Sequence, residues 1–307
     1  MSISTSRMEE AVVLWVECLN QEKIPESFTY MSSSYAENDN AFDSTTFAKF
    51  LSERGFLNAL RSFDGIEVAK NMKWQWSIDS LKADYEAQCL WASLIIKGTP
   101  TEPPSSYNSA EKNISLILVK HSFFWFDDGM ISKQEYVLDY EGIQAQLSEP
   151  NKSNRFDSIG STSIPTMNLA MKLSRHELVS MYRNYLGRMN ARQLDSALSG
   201  DFWHFQLFRN GKTVSLDDFR EELRRFFSSF TYLNFELSVI IADEVNQRLH
   251  VQIKASAIMG GRSVKVKDHI TYQYVDGKIG RIWQFFDEVD LKEQLSAMEK
   301  TTRTKCI

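Results

Sequence analysis

Two segments of this chain share one frame. VKHSFFWFDDGMISKQEYVLDYEG carries His121, Asp128, Gly129 and Asp139, and VKDHITYQYVDGKIGRIWQFFDEVD carries His269, Asp276, Gly277 and Asp287. The members of each pair stand 148 positions apart (121 to 269, 128 to 276, 129 to 277, 139 to 287). Each segment alternates around an Asp-Gly pair, the pattern of two antiparallel strands joined by a tight turn. A repeat of that period requires one folding unit used twice, and a chain of 307 residues holds two units at the usual ~100–200 residues per domain.

The surrounding sequence supports the same element order in both halves. In the second, Leu178, Met181, Tyr182, Tyr185, Leu186 and Met189 recur at the spacing of an amphipathic helix from about Ser174 to Asn190. A shorter helix is expected over Ala191–Leu198. SLDDFREELRRFFSSF opens with Ser215 and Asp218, a capping-box-like start, and repeats Phe219, Leu223, Phe226, Phe227 and Phe230 on one face. Strands follow at about Tyr232–Ile240, Arg248–Met259, Val264–Tyr274 and Ile279–Phe286, and DLKEQLSAMEK closes the domain as a helix. The first half offers helices at about Arg7–Asn20 and Thr45–Arg61, then strands at Val68–Ile78, Glu86–Lys97, Asn113–Phe126 and Met130–Tyr140. The Ser-, Pro- and Asn-rich stretch between the halves reads as a linker. Domains are therefore expected at 1–145 and 172–307, joined by 146–171. That linker and the loop Pro100–Ser109 are expected to be the most mobile parts.

Composition narrows the function classes. A net charge of −5 with no strongly basic run argues against a nucleic-acid partner. Twenty Phe, 11 Tyr and 7 Trp supply large aromatic side chains for a core or a pocket. Cys18, Cys89 and Cys306 show no metal spacing and cannot all pair, which fits a reducing compartment. No basic-then-apolar leader and no run of ~18–20 apolar residues is present, so a cytoplasmic protein without membrane contact is expected. HExxH, CxxC, GxGxxG and P-loop patterns are missing, so neither metal nor cofactor is expected.

Helices followed by a mostly antiparallel sheet that ends in H-x-x-x-x-x-x-D-G-K-I…W…D resembles the NTF2-like superfamily. Within it, ADEVNQRLHVQIKASA and DHITYQYVDGKIGRIWQFFD are similar to the SnoaL-like branch of polyketide cyclases and related isomerases. That resemblance covers about Leu173–Leu295; in the first half it rests on the His121-to-Asp139 frame and the element order. It implies an α+β fold of two cystatin-like cones, each with helices on the concave face of a curved sheet and a pocket at its open end. The first domain would be degenerate and the second would hold the working pocket. The implied activity is cofactor-free acid/base chemistry, isomerisation, cyclisation or dehydration, on a small apolar oxygenated molecule of secondary metabolism. The alternative is a non-catalytic ligand binder or scaffold, because the superfamily contains both.

The candidate catalytic residues are His204, His269 and Asp287, with Trp203, Tyr182, Tyr185 and Trp283 lining the substrate. His204 and His269 titrate near neutrality and can shuttle a proton. Buried phenols on the first helix of the second domain can donate to a ligand oxygen. His269 lies in a polar row (Lys265, Lys267, Thr271, Gln273), whereas His121 lies in an apolar one and reads as structural. Asp287 is either a base or the cap of the helix that follows. A two-residue turn at Asp276-Gly277 sets His269 opposite Gln284; a three-residue turn with a Gly277 bulge sets it opposite Trp283 and on one face with Asp287. Finally, the rows Val264, Val266, Ile270, Tyr272, Tyr274 and Leu116, Leu118, Phe124, Phe126 read as outer faces that need cover. They suggest a pseudo-twofold intrachain dimer, monomeric as a whole chain, with a higher oligomer left open.

Overall fold

The computed structural model describes residues 3–21, 28–38, 40–41, 72–101, 115–148, 171–202, 207–209, 212–259, 261–286, 290–291 and 294. It divides into two compact α+β units, Met1–Ser161 and Thr162–Ile307. In unit 1, α1 (Thr5–Asn20) starts where the Ser4 hydroxyl accepts from the Arg7 amide, and it buries Met8, Val12, Trp15 and Val16 along one stripe. The strands are β1 (Met31–Glu37), β2 (Asn40–Ala41), β3 (Met72–Asp84), β4 (Cys89–Pro100), β5 (Leu116–Asp127) and β6 (Met130–Leu138). They form one sheet in the order β2-β1-β6-β5-β4-β3. A further helix, α2 (Tyr140–Ser148), closes the first unit and runs three residues into the segment read from sequence as linker. The remainder of that linker, most of the Pro100–Ser109 loop and the expected helix Thr45–Arg61 lie outside the described residues.

Unit 2 repeats the sheet order. Helix α3 (Arg175–Asn190) opens with a full capping box between Ser174 and Glu177, followed by α4 (Leu194–Asp201). Strands β7 (Leu207–Arg209) and β8 (Lys212–Val214) precede α5 (Leu216–Ser228), capped by Ser215. Then come β9 (Tyr232–Asp243), β10 (Arg248–Met259), β11 (Arg262–Val275) and β12 (Lys278–Phe286), in the order β8-β7-β12-β11-β10-β9. The short edge pairs β1/β2 and β7/β8 carry no strong alternation and escape a reading of the sequence. The two units also fasten their first helix in the same manner. Asn20 exchanges two hydrogen bonds with the backbone of Trp76, and Asn190 does so with Phe235. Gln88 likewise brackets Ile3, as Gln247 brackets Leu173.

Both final hairpins turn through two left-handed residues, Asp128 (φ +46°) and Gly129 (+83°) in unit 1, Asp276 (+47°) and Gly277 (+76°) in unit 2. These are the primed turns that match strand twist. Beside the turn Tyr274 pairs with Ile279, but a bulge at Gly280 then shifts the ladder, so that Gln273 meets Arg281 and His269 meets Phe285. Neither register expected for His269 is therefore the one adopted. Unit 1 has the same shift at Ser132, between Phe126–Ile131 and Trp125–Lys133.

The facing of the sheet rows is the reverse of the sequence expectation. Val264, Ile270, Tyr272 and Tyr274 pack with Leu178, Tyr182, Tyr185 and Phe219 in the core beneath the unit's own helices. In unit 1, Phe124 meets Trp15 of α1 with ring centroids 5.6 Å apart. These apolar rows are the inner faces, and the His121 and His269 rows lie on the other side of each sheet. In unit 2 the helices bury the apolar row and leave the polar His269 row to the opposite side, whereas in unit 1 both rows are largely apolar and the helix-facing one carries Lys120 and Ser122.

Candidate functional site

The helix-facing interior of unit 2 is lined by aromatic rings. Tyr182 and Tyr185 project from α3 and meet Tyr272 of β11 at centroid distances of 5.2 and 6.2 Å. Tyr185 also meets Phe202, which meets Phe219 of α5. Into this surround β11 delivers one carboxylate, Asp268, only 6% exposed. The bulge puts Gln284 of β12 on the same face, since Ile270 pairs with Gln284 and Asp268 with Phe286. The Gln284 amide donates to Asp268 Oδ2 at 2.5 Å and fixes the carboxylate's orientation.

The phenols around Asp268 remain protonated donors. Burial, first, and then the neighbouring Tyr185 and the charge of Asp268 push the Tyr182 hydroxyl well above its ordinary pKa. Burial, Tyr182, Tyr185 and Asp268 do the same to Tyr272. Tyr182 is fully buried, and among the described residues its hydroxyl has the Tyr272 hydroxyl as its one hydrogen-bonding neighbour, in poor geometry. A buried hydroxyl so poorly satisfied is costly, and a ligand oxygen would relieve it. The arrangement is a fixed proton acceptor next to neutral O–H donors in a water-poor aromatic interior. That is the equipment needed to take a proton and stabilise the oxyanion that results.

The residues expected from sequence divide between the two faces. Tyr182 and Tyr185 are in this interior. His269 is on the opposite face of the sheet, where the Gln252 amide nitrogen lies 3.0 Å from its Nε2. His250 similarly meets Thr271 at 3.0 Å. His269 is thus part of a buried cross-strand polar row, apart from the tyrosines. Trp283 shares that row and lies under the Arg248 guanidinium, 5.8 Å from the ring centroid. The structure therefore separates His269 and Trp283 from the phenols they were expected to join. Trp203, His204 and Asp287 lie outside the described residues. Asp268 was missed, although its signal was legible as the lone charge in an otherwise apolar alternating row.

Among the described residues no group of three or more His, Cys, Asp or Glu side chains is placed to hold a metal ion. No helix among them is long and apolar enough to cross a membrane.

The comparison with known families falls on this unit. Residues 176–295 match the SnoaL-like polyketide cyclase family. The matched segment begins in α3 and runs beyond β12, so the tyrosines, Asp268 and Gln284 all lie within the SnoaL-like region. Several solved structures are similar over the length of one unit. A SnoaL-like polyketide cyclase from Agrobacterium tumefaciens is 25% identical, covering 38% of this chain and 97% of that one, with a TM-score of 0.36. AclR, a putative hydroxylase from Streptomyces galilaeus, is 19% identical over 40% of this chain and 98% of its own, with a TM-score of 0.37. The BvnE pinacolase from Penicillium brevicompactum is 15% identical over 42% and 98%, with a TM-score of 0.35. No curated protein matches the chain.

Proposed function

We propose that the SnoaL-like unit catalyses cofactor-free proton transfer, as an isomerisation, cyclisation or dehydration, on a small apolar oxygenated compound of secondary metabolism. Asp268 is the proton acceptor, Gln284 its positioning partner, and Tyr182 and Tyr272 donate to the developing oxyanion. The observation that carries this reading is the buried carboxylate among neutral phenols on the helix-facing side of the sheet. The family match supports the reaction class. His204 is assigned as a second proton carrier and Asp287 as an assisting carboxylate on the sequence alone, and His204→Ala and Asp287→Asn test those assignments in the assay below.

The test is deuterium exchange at the benzylic C1 position of 2-tetralone, an uncharged ketone fused to an aromatic ring, followed by NMR in heavy water. The full chain should accelerate exchange, and Asp268→Asn should lower that acceleration by ~10²–10⁴, the usual worth of a positioned base. Asparagine keeps the shape and can still accept from Gln284, so the fold is retained. Undiminished exchange in Asp268→Asn would remove Asp268 from the mechanism. A non-catalytic binding role is the second reading, favoured by the mutual ring contacts that occupy the same interior. Saturable tetralone binding without any exchange would decide for it.

A further inference from the structure

Unit 1 has its own polar interior, unlike that of unit 2. The position 148 residues before Asp268 is Lys120. It takes the same place in the sheet: Lys120 pairs with Leu138, as Asp268 pairs with Phe286, and both face the helices. Lys120 is 2% exposed. Its Nζ lies 3.5 Å from Glu37 Oε1 of β1, 3.7 Å from the centroid of the Tyr136 ring and 5.6 Å from that of Trp76. Behind Glu37 the polar line continues. Tyr35 Oη lies 3.1 Å from Glu37 Oε2 and from Gln134 Oε1, and Gln134 Nε2 donates to Ser122 Oγ at 3.0 Å.

Packing alone does not account for this line. A fully buried ion pair returns little net stability, because desolvation offsets the attraction, and apolar side chains of the same volume would fill the space as well. The Lys120 ammonium has three N–H donors, yet among the described residues it has one oxygen partner, at a distance beyond the ~2.7–3.2 Å of a good N–H···O bond. Its other contacts are ring faces. Burial lowers its pKa, and the neighbouring Glu37 opposes the shift. The lysine and glutamate of the ion pair together carry no net charge. A ligand completing the site would therefore bring an acceptor oxygen without bringing a charge, on a body flat and apolar enough to lie against Trp76 and Tyr136.

We propose that the interior of unit 1 is a second ligand site, distinct from that of unit 2, which receives an uncharged aromatic carbonyl compound with its oxygen on Lys120 Nζ. The full chain is irradiated with benzophenone, an uncharged diaryl ketone that inserts into adjacent C–H bonds, and the labelled peptides are mapped. Label is expected on the peptides carrying Trp76 or Tyr136. It should fall at least ten-fold in Lys120→Met/Glu37→Gln, which leaves no lone buried charge, and persist in Asp268→Asn. The anionic analogue 4-benzoylbenzoate should label the same peptides less, because a buried pair with no net charge does not offset the desolvation of a carboxylate. Wild-type label confined to unit 2 or scattered over the surface overturns the proposal, as does equal label in the folded double variant or a preference for the anion. Should the double variant not fold, the wild-type map and the anion comparison decide the matter.

Discussion

Tyr182→Phe separates the two roles a buried phenol can have. The ring contacts with Tyr185 and Tyr272, at 6.1 and 5.2 Å, need no hydroxyl and survive the change. What is removed is one oxygen that is fully buried and has no well-formed hydrogen bond among the described residues. Burying such a group with only the poorly aligned Tyr272 hydroxyl beside it costs up to ~1–3 kcal/mol relative to the unfolded chain, where water solvates it. The variant should therefore be more stable than the parent by about 1 kcal/mol or more, a rise of roughly 2–4 °C in Tm per kcal/mol for a unit of this size. Proton exchange on 2-tetralone should nevertheless fall by ~10²–10³, the usual loss when an oxyanion donor is removed. Differential scanning calorimetry and the exchange assay measure the two arms. A lower Tm would mean that the hydroxyl is held by a structural hydrogen bond, and full activity would mean that it donates to nothing in the transition state. Either outcome refutes the role given to Tyr182. A gain in stability with a loss of activity is the signature of a site that stores an unsatisfied donor for its ligand.

Other expectations follow from the same contacts. His269→Ala should destabilise unit 2 by ~1–3 kcal/mol, since Gln252 would lose its partner at a buried position; activity per folded molecule should be unchanged, and a selective loss of turnover would return His269 to the mechanism. Lys120→Met alone should cost ~3–5 kcal/mol by leaving Glu37 buried without its counter-charge, with most of that restored by adding Glu37→Gln; denaturant titration of the single and double variants measures it, and no recovery in the double variant would show that the pair is not the unit of stability. Stability should also fall at alkaline pH. Burial raises Cys89 above its ordinary 9.0 and Tyr35, Tyr182 and Tyr272 above 10.0, so from about pH 9 upward the unfolded chain releases protons that the native state keeps. Lys120, lowered from 10.5, works in the opposite direction, one group against four. Urea midpoints that are flat or rising between pH 8 and 10.5 would contradict this balance.

The long elements were legible because their signals are local. The stripe Leu178, Tyr182, Tyr185, Met189 places α3 within a residue, and the alternation in Arg248–Met259 gives β10 its full span. The facing of the sheet was not legible, because alternation says which residues share a side and not which side the helices cover. Tyr272 and Tyr274 were read as an outer surface for that reason. The hairpin register failed for a different cause: the sequence was weighed for turn length at Gly277, whereas the shift occurs three residues later, at Gly280. The spacing of Ile279 to Ile282, three residues for two positions on one face, was the available sign. Asp268 and Lys120 stand in their rows as lone charges among apolar neighbours. A charge at such a position is either an exposed residue or a buried one with partners, and only the three-dimensional arrangement of Gln284 and Glu37 distinguishes the two.

The bulges at Ser132 and Gly280 act on the last hairpins as a frame acts on a coding sequence. One residue more or fewer at that point exchanges the inner and outer rows of every position beyond it on the strand. Deleting Gly280 would carry Gln284 away from Asp268 and bring its neighbours to the helix side, although no side chain in the site had been altered. Substitutions within the rows are a different matter, since Lys120 stands in unit 1 where Asp268 stands in unit 2 and both sheets keep their order. In such a hairpin the chemistry is free to drift while the phase is not, and variation in length should be rarer there than variation in charge.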